Sequence, residues 1–134
     1  MTAPDPDALR RIAGECVTLV AADFGRRLDW SLGSLAELDL VCASLLAEGP
    51  LEEQRLELWW KIIGAYTGEV VIRAYGGTWI SHEQAAGAFA VSALGVTAFP
   101  FALASRVLSG EPFKSLASFG RAFPAVGERA RRPS

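Results

Sequence analysis

The sequence predicts an α+β fold: about five helices around a long central helix, roughly residues 50–76, with a small three-stranded antiparallel sheet over roughly 78–99. Three observations predict it. Apolar residues recur at helical spacing, between capping signals, through the first 76 positions. After Gly76-Gly77 the pattern breaks into short apolar runs separated by glycine or polar residues. Helix signals then return from Pro100 onward. The chain has 134 residues, 51% hydrophobic and 21% charged, enough to bury a core without metal or disulfide staples. It reads as one domain over 1–124 and a flexible basic tail over 125–134.

The first helix opens on Asp5 as cap, Pro6 at the first helical position and Asp7 at the positive end of the dipole. Leu9, Ile12, Cys16, Leu19, Val20 and Phe24 follow at helical spacing, and Gly25 supplies the stop. "RRLDWS" (26–31) reads as an extended link. "SLAE" (34–37) reads as a capping box, opening a second helix with Leu35, Leu38, Val41, Cys42, Leu45 and Leu46 as its buried stripe. Gly49-Pro50 ends that helix and starts the third, with Glu52 and Glu53 in its first turn. From Leu58 to Ala74 the third helix is apolar almost all round, which places it at the centre, covered on every side.

"TWIS" (78–81), "GAFAVS" (87–92) and "LGVTAF" (94–99) then read as a three-stranded meander, although Ser81 to Gln84 also fits a capping box. Residues 101–109 read as a helix stopped by Gly110, and 112–123 as a last one stopped by Pro124.

Composition excludes several functions. A formal net charge of -2 removes the basis for strong nonspecific nucleic-acid binding. Residues 101–134 do hold six bases against two acids, but three of the bases, Arg129, Arg131 and Arg132, fall in the polar tail and read as solvated. Residues 84–105 carry no charge and are about long enough to span a bilayer. Their Ala, Gly, Ser and Thr content, with Pro100 inside, favours buried strands and a core helix over a membrane segment. The opening "MTAPDPDALRR" is Pro-containing and polar, unlike a signal peptide, and the two cysteines read as buried free thiols of a cytoplasmic protein.

No catalytic template is met. His82 is the single histidine and reads as a surface turn residue; the position four after it, where a zinc-protease motif needs a second histidine, is Ala86. Neither cysteine has a metal-ligand neighbour, and no nucleophile elbow, phosphate loop or dinucleotide fingerprint occurs. The sequence thus nominates no catalytic residue, metal or cofactor.

The unusual stretch is "GAYTGEVVIRAYGGTW" (64–79). Gly64 and Gly68 lie one turn apart on one helix face, and each costs about 1 kcal/mol relative to Ala. Close approach of another backbone or a large aromatic ring, or of a ligand, would offset that cost. Glu69 and Arg73 stand four apart in the favourable acid-then-base order. They are expected to face each other, with Tyr66 or Trp79 as further partners. Two readings stay open: a buried ion pair locking the helix to the sheet, or a polar hot spot at a pocket mouth. Most of the aromatic set reads as core, but Trp59 and Trp60 point about 100° apart, so one of them is a candidate binding residue. The candidate binding residues are therefore Trp59, Tyr66, Glu69, Arg73 and Trp79.

"LDWSLGSLAELD", "IIGAYTGEVVIRAYGGTW" and "FPFALASRVLSGEPFKSLASF" together resemble a bacterial family of small domains of unknown function. The likeness covers roughly residues 28–120 and is carried by Gly64, Tyr66, Gly68, Glu69, Gly76, Gly77, Trp79 and Pro100. It implies an α+β fold with a small antiparallel sheet, and no activity. The leading expectation is a non-catalytic protein-interaction module, an adaptor or neutralising partner that binds another protein or its own copy. The alternative is a small-ligand pocket protein or enzyme using the groove around Glu69 and Arg73.

Overall fold

The computed structural model describes residues 5–82 and 89–131. Five helices and one sheet appear in the order α1 (Pro6–Phe24), α2 (Ser34–Ala47), α3 (Glu53–Tyr75), β1 (Thr78–Ser81), β2 (Phe89–Ala93), β3 (Val96–Ala98), α4 (Pro100–Leu108) and α5 (Leu116–Arg131). The fold is α+β, and the sheet is antiparallel with strands in chain order, Trp79 opposite Val91 and Val91 opposite Ala98.

Helix α3 is the centre. Every residue from Ile62 to Val71 is buried, Glu69 and Thr67 included. Helix α1 packs along it on one side, α4 and β2 on another. The two mid-helix glycines explain how aromatic residues come so close. A Cβ on Gly64 would meet Phe101 Cδ1 at 2.5 Å and the Phe101 Cα at 2.9 Å; one on Gly68 would meet the benzo ring of Trp79, with Cζ2 at 2.5 Å. The two rings stack on each other, centroids 5.7 Å apart. Close packing against large rings thus offsets the helix penalty of both glycines.

Several sequence boundaries are corrected. Helix α1 begins as expected, with Asp5 accepting from the Asp7 amide at 3.0 Å and Gly25 in the left-handed region. Helix α3 begins at Glu53, not Pro50. The Ser34–Glu37 capping box does not form. Three successive i to i+3 bonds lead into α2 from Ser31, whose own Oγ accepts from the Ser34 amide at 3.2 Å. The serine three residues earlier is the working cap.

Leu94 and Gly95 are not strand. They form the two-residue hairpin turn, at φ +52° and +75°, and the Ala93–Val96 pair closes it. Such turns need positive φ at both central positions, and leucine is a poor advertisement for one. Of the second predicted strand, residues 87 and 88 lie outside the described residues, as do residues 83 and 84 of the alternative capping box. Residues 89–105 of the uncharged stretch form β2, β3 and much of α4, and the rest of it lies outside the described residues. No helix among the described residues is long and apolar enough to cross a membrane.

The largest correction is at α5, which is not stopped by Pro124 but passes through it and continues to Arg131, so residues 125–131 are helical; Arg132 lies outside the described residues. Proline has no N–H, so the carbonyl four residues back, on buried Gly120, loses its helical donor. The Tyr75 hydroxyl donates to that carbonyl at 2.8 Å. A partner from α3 replaces the missing bond. Tyr75→Phe is therefore expected to cost about 1–2 kcal/mol, read from urea unfolding, because it orphans a buried acceptor while keeping the ring stacked on Phe123.

The two cysteines are free and buried. Burial pushes both thiols up, Cys42 to about 12, with the nearby Asp39 charge adding to it, and Cys16 higher still. The sign follows. Unfolded thiols ionise near 9.0 while the folded ones stay protonated, so this stability is intact below pH 9 and is lost as pH rises toward 12. Each thiol contributes up to about 1.4 kcal/mol per pH unit in that window. Urea midpoints under reducing conditions should fall between pH 9 and 11, and Cys42→Ala should flatten the decline.

Candidate functional site

Glu69 organises the candidate site. Its side chain is only 6% exposed, and its Oε2 accepts from the Trp79 indole N–H at 2.8 Å. The sequence produces this contact in steps. Gly68 lets the benzo ring of the indole come close against α3. Gly76, at φ +75°, ends the helix, and Gly77 passes so close to β2 that a Cβ would meet that of Ala93 at 2.7 Å. The chain therefore turns back at once, and Trp79, two residues later, reaches the helix face that carries Glu69.

The other oxygen, Oε1, faces two guanidinium groups: Arg73 one turn on in α3, at 3.9 Å, and Arg10 of α1, at 3.8 Å. Both distances are too long for hydrogen bonds. Both arginine side chains are about half exposed, so each pair is worth at most about 1 kcal/mol. Glu69 and Arg73 thus face each other as expected, with Trp79 as a further partner. The short Trp79–Glu69 bond joins α3 to the sheet, and the arginines sit over the carboxylate at ion-pair distance, with N–H donors to spare.

Arg73 is held from a second direction. Its guanidinium lies over the Trp30 ring, 4.1 Å from the centroid. Trp30 itself sits at φ +68°, a conformation rare for a bulky residue. Tyr66 explains how this persists. Its hydroxyl accepts from the Trp30 amide at 2.9 Å and lies 2.5 Å from Ser34 Oγ, which gives its own proton to the Ser31 carbonyl at 2.6 Å. With one proton per hydroxyl, Tyr66 must donate to Ser34. Burial raises the Tyr66 phenol above its ordinary value, and the hydrogen bond it accepts from the Trp30 amide only partly opposes this. Tyr66→Phe should cost about 1–3 kcal/mol in urea unfolding, since it strips the partner from the Trp30 amide and releases the loop under Arg73.

Of the five predicted site residues, the structure brings together Glu69, Arg73 and Trp79. Tyr66 supports them through Trp30. Trp59 is elsewhere: it is 3% exposed, edge-on to Phe24 in the core, and so is removed as a surface anchor. Trp60 is half-buried against Phe101. His82 is half-buried, its ring edge-on to Phe99 at 5.1 Å, not an exposed turn residue. Sequence reasoning missed Arg10 and the role of Trp30. Arg10 reads as part of an exposed helix face, three residues after its partner Asp7 at 3.5 Å, and nothing local ties it to Glu69.

Arg10, Glu69, Arg73 and Trp79, with Pro6, Ile72, Gly77 and Thr78, line an open groove of about 410 Å³. The Thr78 hydroxyl there donates to the Trp79 carbonyl at 3.3 Å. Among the described residues no group of three or more His, Cys, Asp or Glu side chains is placed to hold a metal. Searches against protein-family models, curated proteins and solved structures each return no match.

Proposed function

We propose that the protein is a non-catalytic binding protein that holds a small polar ligand in the groove formed by the start of α1, the last turns of α3 and the start of β1. The observation that carries this reading is the buried Glu69 carboxylate, fixed by Trp79 and shared by two half-exposed guanidinium groups at the groove. A volume of about 410 Å³ suits a small molecule. The arrangement offers a charged clamp on rigid elements, which suits recognition. The cytoplasmic location suggested by the two thiols is part of the same proposal.

Thr78 gives a test that leaves the charges intact, because it is exposed and lines the groove. A thermal-shift screen against a metabolite library should find compounds that stabilise the wild type and not the folded Thr78→Trp variant, whose indole would fill the groove. Silence across the library, or hits that Thr78→Trp retains, would remove the groove as the ligand site.

A protein-interaction role has a separate observation in its favour. Phe113, in the connection between α4 and α5, is fully exposed and sits at φ +64°. Lys114, the next residue, lines a groove together with Phe99, Leu103, Phe119 and Arg106. An exposed aromatic, with further aromatic and apolar residues along a groove that its neighbour lines, suits a protein partner or a second copy. Sedimentation at rising concentration should then show self-association that Phe113→Ser removes; a monomer throughout argues against the second copy.

A further inference from the structure

Resting on the groove reading above, we propose that the ligand is an oxyanion, a molecule whose carboxylate or phosphate group is clamped between Arg10 and Arg73. The charge geometry favours an anion. Two guanidinium groups converge on one buried carboxylate, leaving a positive excess at the groove surface. Asp7 also pairs with Arg10, at 3.5 Å, but its side chain is 77% exposed and strongly screened by water.

Donor accounting points the same way. Arg10 directs its Nε toward Glu69 and one terminal nitrogen toward Asp7, and Arg73 directs one terminal nitrogen toward Glu69. Each guanidinium carries five N–H donors, so several on each face the groove or solvent. A cationic ligand would meet two half-exposed guanidiniums in the groove for one carboxylate that is only 6% exposed. Planar forks matched to carboxylate or phosphate oxygens are the chemistry for which arginine is suited over lysine.

The site is also pre-organised. Trp30 supports one face of Arg73 at 4.1 Å, and its φ of +68° is maintained by the Tyr66 hydroxyl. A strained residue held in place beneath a half-exposed cation reduces the ordering that binding would otherwise require. Glu69 has a positioning role here. Its charge draws both guanidiniums inward, and its bond to Trp79 fixes it to the sheet.

The test titrates the full chain with inorganic phosphate and with succinate, at constant ionic strength in chloride, following the Trp79 indole N–H resonance. That proton is bonded to Glu69 and so reports on the clamp. A saturable shift is expected with at least one probe, and the preferred probe identifies phosphate or carboxylate as the ligand group. Arg73→Gln and Arg10→Gln should each weaken binding about tenfold, and Thr78→Trp should abolish it. Shifts that chloride alone reproduces, or that survive both arginine substitutions, would overturn the proposal. If neither probe binds while cationic or neutral library compounds occupy the groove in a Thr78→Trp-sensitive way, the oxyanion inference falls and the groove reading stands. If no compound of any charge binds, both fall.

Discussion

Gly68→Ala is expected to lower stability by about 4 kcal/mol and to detach Trp79 from Glu69. In an exposed helix the same change would gain about 1 kcal/mol. Here the new methyl would enter the benzo ring of Trp79, with Cζ2 at 2.5 Å. The ring has little room to move, since Phe101 stacks on it and its N–H is bonded to Glu69 at 2.8 Å. Overpacking alone costs about 1–3 kcal/mol. Moving the indole adds the loss of the short bond to a carboxylate that is 6% exposed, about another 2–3 kcal/mol. Urea unfolding reads the sum, and the indole N–H resonance reads the detachment. Trp79→Phe removes the obstructing ring atoms, so Gly68→Ala added to that variant should cost almost nothing. Equal costs in the two backgrounds would mean that the ring does not set the penalty. Gly64→Ala should be comparably damaging, because its nearest obstacles include the Phe101 backbone at 2.9 Å.

This coupling marks where the sequence was legible. Helix α3 was visible as central because its apolar residues run all round, and the two glycines on one face implied a large group against them. The spacing of Glu69 and Arg73 put both on the groove. Which aromatic faced which glycine was not readable, because Phe101 and Trp79 arrive from α4 and β1 by tertiary packing. Arg10 was invisible for the same reason: an arginine on an amphipathic first helix carries no local mark of a partner 59 residues away. Trp59 misled because a helical angle says that two neighbours diverge, not which one faces the core. Pro124 misled because the rule that proline stops a helix assumes an unsatisfied carbonyl, and Tyr75 satisfies it from another helix. Leu94 hid a turn, since the hairpin signal depends on asparagine, aspartate or glycine at the first position.

Asp39→Ala is expected to cost about 3 kcal/mol and to loosen the start of α5. Asp39 lies on α2, yet it caps a helix that begins 77 residues later. Its Oδ1 accepts from the Leu116 amide at 2.8 Å, and its Oδ2 from the Ser115 hydroxyl at 2.8 Å and the Ala117 amide at 3.1 Å. These are charge-assisted bonds to the orphan donors of a helix N-terminus, where negative charge is also favoured by the dipole. Removal leaves those donors half-buried, and α5 cannot recover them from its own sequence. Ser115 is its local cap, accepting from the Ser118 amide at 3.2 Å, but Asp39 orients that hydroxyl. Ser115→Ala should therefore cost less, about 1 kcal/mol. Asp39→Asn should fall between the two alanine variants, because one carboxylate oxygen becomes an NH₂ group facing a donor. The loss should concentrate in α5: amide exchange at Leu116 and Ala117 should accelerate well before that of Ile62 to Val71 in α3. Uniform acceleration across both helices would mean instead that α5 and the core unfold as one unit, with Asp39 holding the whole domain and not one helix end.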